Sequence, residues 1–136
     1  MPKTTRRTFI ASAAAVTASA ATFGITPMDT EKEKTPLTHH VFFWLKNPGS
    51  TTDRDNLVQG VKGLAKIETV KKLIVGVPAS TEQRDVVDAS YAVSELMFFD
   101  SVEGQNVYQD HPLHKKFIEE HAHLWDKVVV YDTLEV

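Results

Sequence analysis

The segment HHVFFWLK, residues 39–46, restricts the possible folds of this chain more than any other stretch. A strand with one face in water alternates apolar and polar residues, because successive side chains point to opposite faces of a sheet. This segment instead runs from Val41 to Leu45 without a polar residue. Both faces of the strand must therefore be covered, and a chain of 136 residues is long enough for one domain only.

The first 26 residues are typical of an export signal. They contain Lys3, Arg6 and Arg7, then a run rich in Ala, Thr and Ser, and no acidic residue. The paired arginines in TTRRTFI resemble the twin-arginine export motif. We expect a periplasmic or other extracytoplasmic protein with no membrane attachment after signal cleavage, although the cleavage site stays open. Residues 27–36 are predicted to be a charged linker, and residues 37–136 the folded domain.

Charge and cysteine content narrow the range of partners. Removal of the signal takes away three of the 15 Lys and Arg residues and none of the 18 Asp and Glu residues, which leaves a net charge of −6. No excess of positive charge remains to hold a phosphate backbone, so nucleic acid is not an expected partner. The chain contains no Cys. Its stability must therefore come from packing, within one subunit or between two, rather than from disulfides.

The domain is predicted to follow the order β-α-β-β-α-β. The four predicted strands are Thr38–Lys46, Val70–Val77, Tyr91–Phe99 and Lys127–Val136. The first helix follows candidate N-caps at residues 50–52, and the second is interrupted just before Pro112. Gly60 and Gly63 weaken the first helix and are interpreted as allowing close approach to the sheet. This order predicts an α+β, ferredoxin-like unit with a four-stranded antiparallel sheet and helices on one face.

The other face of the sheet is predicted to be apolar too. Residues assigned to it are Phe42, Trp44, Leu96, Phe98, Val128 and Val130. An apolar face of this size does not stay in water. The simplest cover is the same face of a second copy, so we expect a homodimer whose two sheets enclose a dimeric α/β barrel.

Four polar residues are candidates for chemistry within this apolar frame. His40 lies at the start of the first strand, and Tyr108 and His114 flank the helix break in YQDHPLHKKF. Asp132 lies between apolar neighbours on the last strand, where a carboxylate needs a partner. An imidazole paired with that carboxylate would be oriented and made more basic, as a general base requires.

Each of these residues also has a purely structural interpretation. His40 can lie half in solvent at a strand end, and Asp132 can cap a loop or pair with Lys127. His111 and His114, three residues apart on a helix, raise the question of a metal site. No H-E-x-x-H pattern and no Cys supports one. We therefore predict no metal and no cofactor.

Several segments resemble the stress-responsive A/B barrel (Dabb) domain family of the dimeric α/β barrel superfamily. They are HHVFFWLK, LIVGVPAS, ELMFFDSVEGQNVYQDHPLHKKF and VVVYDTLEV, and the resemblance spans about residues 38–136. A plant member of the family is a polyketide cyclase that catalyses an aldol condensation without a cofactor. The resemblance implies His114 as the general base and Tyr108 at the substrate carbonyl. It also implies His40 as a pocket residue and Asp132 as the acid that supports the base.

Three functions stay open at this point. The first is cofactor-free acid/base chemistry, of the cyclase, lyase or isomerase type, on a small apolar carbonyl compound. Further substrate-binding residues are then predicted to be Phe42, Trp44, Phe98 and His111. The second function is a non-catalytic, stress-related oligomer whose barrel is filled by its own aromatic side chains. The third is a monooxygenase-like or haem-related barrel, which only analogy of fold supports. Gly60 stands near the position of a pocket tyrosine of the cyclase, which leaves the substrate open.

Overall fold

A computed structural model of the protein describes residues 34–136. Its elements in chain order are β1 (Leu37–Leu45), α1 (Thr51–Gly63), β2 (Lys72–Gly76), β3 (Val93–Phe99), α2 (Val102–Asp110), α3 (Pro112–His121) and β4 (Trp125–Leu134). The predicted order of elements is confirmed, and the predicted strand ends differ from the observed ones by no more than two residues. The predicted export signal lies outside the described residues. Within residues 34–136, no helix is long and apolar enough to cross a membrane.

The four strands form one antiparallel sheet in the order β2-β3-β1-β4. β1 and β3 occupy the centre, and β2 and β4 form the edges. In this register His39 of β1 lies opposite Met97 of β3 on one side and Asp132 of β4 on the other. The architecture is the predicted ferredoxin-like α+β fold.

The helices cover the face of the sheet that carries the odd-numbered residues of β1 and β3. The buried residues on this face are Leu37, His39, Val41, Phe43 and Leu45 of β1 and Val93, Glu95, Met97 and Phe99 of β3. Leu57 and Val61 of α1 pack against them and are fully buried. The core of the subunit therefore lies between this face and the helices, and two polar side chains of the sheet, His39 and Glu95, lie inside it.

The opposite face, here called the uncovered face, carries aromatic side chains that the subunit does not bury. Its aromatic cluster centres on Phe42, whose ring centroid lies 4.9 Å from that of Tyr91 and 6.1 Å from that of Tyr131. The sequence interpretation placed Val128 and Val130 here as well. The register pairs them with Phe43 and Val41, so they belong to the helix face, and a register irregularity lies at the end of β1. The parity of one strand that shares a face with a given parity of another depends on how the two strands pair, and a single strand does not reveal that pairing.

The predicted helix break is present between α2 and α3. His111 has extended dihedral angles (φ −66°, ψ 139°), and its Nδ1 accepts a hydrogen bond from the backbone N–H of Leu113 at 3.1 Å. Pro112 follows at the first position of α3, where its missing N–H costs no hydrogen bond. The break brings Tyr108 and His114 together on the sheet, with ring centroids 4.6 Å apart.

Gly60 allows α1 to approach α3 rather than the sheet. A Cβ atom built at Gly60 would lie 2.5 Å from Nε2 of His121, closer than real Cβ contacts permit. Gly63, one turn further along, has nothing within 4 Å of the same position. The predicted close approach to the sheet is therefore wrong: Gly60 approaches α3 instead, and Gly63 has no near neighbour among the described residues.

Candidate functional site

A cavity of about 350 Å³ lies between the sheet and helices α2 and α3. Its apolar wall is formed by Val41, Phe43, Phe117, Trp125, Val128 and Val130. Its polar residues include His39, Glu95, Tyr108 and His114. Val128 and Val130 are 38% and 45% exposed, because β4 is an edge strand that the helices do not cover. The cavity is therefore open to solvent beside β4.

His39 is buried in this cavity and held by Asp132. Nδ1 of His39 lies 2.5 Å from Oδ1 of Asp132, its neighbour across the β1–β4 pair. An ionised carboxylate can only accept hydrogen bonds, so the proton of the neutral ring must be on Nδ1. Nε2 of His39 then carries a lone pair, and it has no hydrogen-bond partner among residues 34–136. This is the geometry of an oriented imidazole base.

His114 presents a second imidazole to the same cavity. Its Nδ1 donates to the backbone carbonyl of Gln109 at 3.1 Å, which again leaves Nε2 as an acceptor in the neutral ring. Burial lowers the pKa of His114, the bond to the Gln109 carbonyl acts in the opposite direction, and the charge of a protonated His39 lowers it further. His114 is therefore a neutral acceptor at pH 7.

Tyr108 and Glu95 form a buried hydrogen-bonded pair. The hydroxyl of Tyr108 donates to Oε1 of Glu95 at 3.1 Å, and both residues are 1% exposed. Burial raises the pKa of Glu95 to about 7, and the hydrogen bond from Tyr108 partly opposes this rise. Burial, followed by the charge of Glu95, raises the pKa of Tyr108 well above its usual value. Tyr108 therefore stays protonated at physiological pH.

These four polar groups form one cluster around the ring of Tyr108. Its centroid lies 5.7 Å from that of His39 and 4.6 Å from that of His114. Two imidazole acceptors can remove a proton from a bound molecule, and a phenol or carboxylic acid can supply one to a developing oxyanion. In the part of the chain that the structure describes, no group of three His, Cys, Asp or Glu side chains is arranged to hold a metal ion.

The structure brings together three of the four residues predicted for chemistry, namely Tyr108, His114 and Asp132. Asp132, however, is hydrogen-bonded to His39 and not to His114. His40 points to the uncovered face, where its ring centroid lies 4.2 Å from that of Phe42. The structure therefore corrects the expectation that one pocket holds His40 together with His114. Consecutive strand residues face opposite ways, and nothing in the pair HH indicates which of the two meets the helices.

The four residues predicted to bind substrate also lie outside this cavity. Phe42 and Trp44 share the strand parity of His40, and Phe98 lies opposite Thr38, which has the same parity, so all three belong to the uncovered face with His40. His111 caps α3 and places its Nε2 3.3 Å from Oε2 of Glu68. None of the four residues lines this cavity. Their predicted role in binding a ligand stays a prediction.

Sequence reasoning missed two residues of the site, His39 and Glu95. One signal for Glu95 was present in the strand YAVSELMFF. Val93, Met97 and Phe99 share a face with it, so a charged residue at the centre of an apolar stripe marked a buried carboxyl group. No comparable signal separated His39 from His40.

The fold and its cavity define a ferredoxin-like α+β protein with an acid/base cluster between its sheet and its helices. The chain belongs to the family described as Stress responsive A/B Barrel Domain (Dabb), which it matches over residues 37–134. The resemblance noted in the sequence is thereby confirmed for the whole folded domain. No curated protein matches the chain.

Similar solved structures show the same fold at low sequence identity. A Dabb family protein with a ferredoxin-like fold from Mesorhizobium loti is 21% identical, with a TM-score of 0.61, covering 75% of this chain and 98% of that one. A hydroxynitrile lyase from Passiflora edulis is 20% identical, with a TM-score of 0.64, covering 76% and 95%. A dimeric ferredoxin-like protein of unknown function from Thermobifida fusca is 17% identical, with a TM-score of 0.61, covering 76% and 93%.

Proposed function

We propose that this protein is a cofactor-free acid/base enzyme that binds a small, neutral, apolar carbonyl compound in the cavity beneath α2 and α3. One observation carries the proposal: two buried imidazoles, His39 and His114, line one cavity with Nδ1 of each engaged by an oxygen. In its neutral form, each ring held in this way offers an Nε2 lone pair to a bound molecule. A purely structural role would not require both lone pairs to be kept at one cavity.

The lining of the cavity argues for the class of substrate. No Lys or Arg is among the lining residues of the described chain, so nothing there would neutralise a carboxylate or a phosphate. The walls are aliphatic and aromatic, which suits an apolar body. A volume of about 350 Å³ is near the lower end of ordinary ligand pockets, which run from roughly 300 to 1,000 Å³. These features together favour a small neutral molecule whose reacting group is a carbonyl.

We assign the role of base to His39 because Asp132 supports it. Removal of a proton from carbon converts the imidazole to an imidazolium, and the carboxylate 2.5 Å from Nδ1 stabilises that positive charge. His114 lacks such a carboxylate, and its pKa is lowered by burial. His114 therefore serves better as a neutral acceptor that orients the substrate.

We further propose that the protein is an exported homodimer. The aromatic cluster of the uncovered face supports the dimer, and the similar solved structure from Thermobifida fusca is described as dimeric. The twin-arginine pattern in the first 26 residues supports export. A barrel filled by Phe42 and its neighbours, as in the non-catalytic alternative, is compatible with catalysis, because the cavity lies behind the sheet.

The proposal is tested with phenylacetone, a small neutral ketone with acidic methylene protons. Proton NMR in heavy water follows the loss of the methylene signal as deuterium replaces hydrogen. General-base catalysis is worth about 100-fold or more, so His39→Ala should lower the enzyme-catalysed rate by about that factor. His114→Ala should also lower it, whereas the matched control His123→Ala, at an exposed histidine, should not.

Two outcomes would refute the proposed function. In the first, the purified protein exchanges the methylene protons no faster than the His39→Ala/His114→Ala double variant. In the second, His123→Ala reduces the rate as much as His39→Ala does. Sedimentation of each variant shows whether a lost rate merely reflects lost assembly.

A further inference from the structure

Glu95 is a polar residue of the cavity that the proposed base chemistry leaves without a role. Within residues 34–136 it is the only carboxylic acid that is buried. It lies on β3 directly opposite Val41, which makes it a diagonal neighbour of His39 on the same face of the sheet. A residue that contributes only to packing would not place a carboxyl group there, because burial of such a group is costly.

The contacts of Glu95 are those of a carboxyl group held ready to donate a hydrogen bond. Oε1 accepts from the hydroxyl of Tyr108 at 3.1 Å, and no Lys or Arg lines the cavity to balance a negative charge. Oε2 has no hydrogen-bond partner within the described part of the chain. A buried carboxyl group without a cation favours its protonated form, whose O–H then needs an acceptor. The cavity, which Glu95 lines, is where a ligand would supply that acceptor.

We propose that Glu95, as a carboxylic acid, donates its proton to the carbonyl oxygen of the substrate, and that Tyr108 is a positioning residue that holds Glu95. This inference rests on the proposed function of the same cavity. It assigns to Glu95 the contact with the carbonyl that the sequence comparison implied for Tyr108, whose hydroxyl proton is already used.

The step balances without any co-reactant. Nε2 of His39 takes a proton from the carbon next to the carbonyl, and the C–H electron pair forms the new C=C bond. The C=O π pair moves to oxygen, which takes the proton of Glu95, so the product is a neutral enol. The imidazolium of His39 and the carboxylate of Glu95 carry opposite charges, and the reverse proton movements restore both groups. The carboxylate formed on Glu95 still accepts the hydrogen bond from Tyr108.

The titratable groups facing Glu95 come from several elements: His39 on β1, Tyr108 on α2 and His114 on α3. Burial raises the pKa of Glu95 to about 7, so its acid form is populated up to neutral pH. Once ionised, Glu95 would repel an oxyanion and could no longer donate. Substrate analogues that carry a negative oxygen should therefore bind below this pH and be released above it.

The test uses pentafluorophenolate, an acidic phenolate that mimics a developing oxyanion, with binding followed by fluorine NMR. The apparent dissociation constant of the unaltered protein should rise about tenfold for each pH unit above about 7, as Glu95 loses its proton. Glu95→Gln keeps a donor and an acceptor without titrating, so its affinity should lack this alkaline loss. Glu119→Gln, at an exposed glutamate of α3, is the matched control and should behave like the unaltered protein.

Tyr108→Phe provides a second reading that does not depend on altering Glu95. The hydrogen bond from Tyr108 lowers the pKa of Glu95. Loss of this bond in Tyr108→Phe should therefore move the rise of the dissociation constant to higher pH. The inference is overturned if the dissociation constant has the same pH dependence in the unaltered protein and in Glu95→Gln. It is also overturned if Tyr108→Phe does not shift the pH at which the dissociation constant rises. If either result is obtained while phenylacetone exchange still requires His39 and His114, only the role of Glu95 is refuted. If exchange does not require these two histidines, the proposed function itself is refuted.

Discussion

Replacement of Glu95 by Gln should stabilise the protein at alkaline pH and leave its stability almost unchanged below pH 4.5. Burial raises the pKa of the Glu95 carboxyl from 4.5 to about 7. An unfolded chain therefore releases this proton near pH 4.5, whereas the folded protein holds it until about pH 7. Gln has nearly the same shape as Glu, accepts the same hydrogen bond from Tyr108 and never ionises. The difference in stability between the two proteins therefore measures the free energy lost by burying the charged carboxylate.

The sign and the size of the effect follow from proton linkage. Below pH 4.5 both states hold the proton, and the carboxyl carries no penalty. Between pH 4.5 and about 7 the unfolded state binds fewer protons than the folded state, so the free energy of unfolding falls as pH rises. Above about pH 7 the loss is complete, and at about 1.4 kcal/mol per pH unit it reaches about 3 kcal/mol.

Urea denaturation of both proteins at equal concentration, below pH 4.5 and near pH 8, measures this difference. At the higher pH, the free energy of unfolding of Glu95→Gln should exceed that of the unaltered protein by about 3 kcal/mol. At the lower pH the two free energies should be equal. Other titrating groups are common to both proteins and cancel in the comparison. Glu119→Gln should show no such pH-dependent gain. A stability difference between Glu95→Gln and the unaltered protein that is the same at both pH values would refute a buried, proton-holding carboxyl group.

Two paired substitutions test the helix contact and the uncovered face. Gly60→Ala should cost about 1–3 kcal/mol in urea denaturation, because its Cβ would lie 2.5 Å from Nε2 of His121. Gly63→Ala, with open space around it, should instead stabilise by up to about 1 kcal/mol, and equal effects at the two glycines would contradict the close contact. Phe42→Glu should yield a monomer in sedimentation, whereas Val86→Glu, at a position already 84% exposed, should leave the dimer intact. A dimeric Phe42→Glu protein would count against the uncovered face as the interface.

Much of the architecture could be predicted because its causes are local. Apolar spacing distinguished strands from helices, Ser50 was recognisable as a helix cap, and Pro112 marked the break between α2 and α3. The unbroken apolar run of β1 implied cover on both faces. The break in turn predicted that Tyr108 and His114 would lie near each other, since they flank it in the chain.

The amino-acid sequence by itself determined the order of the elements, the break at Pro112 and the presence of a carboxyl and several imidazoles within an apolar frame. Only the tertiary structure decided that His39 rather than His40 enters the cavity, and that Asp132, 93 residues away, holds His39. It also placed Glu95 beside Tyr108. Alternation dictates that neighbouring strand residues face opposite ways, but the docking of the helices decides which face becomes the interior. Strand register then decides which distant carboxylate meets which imidazole.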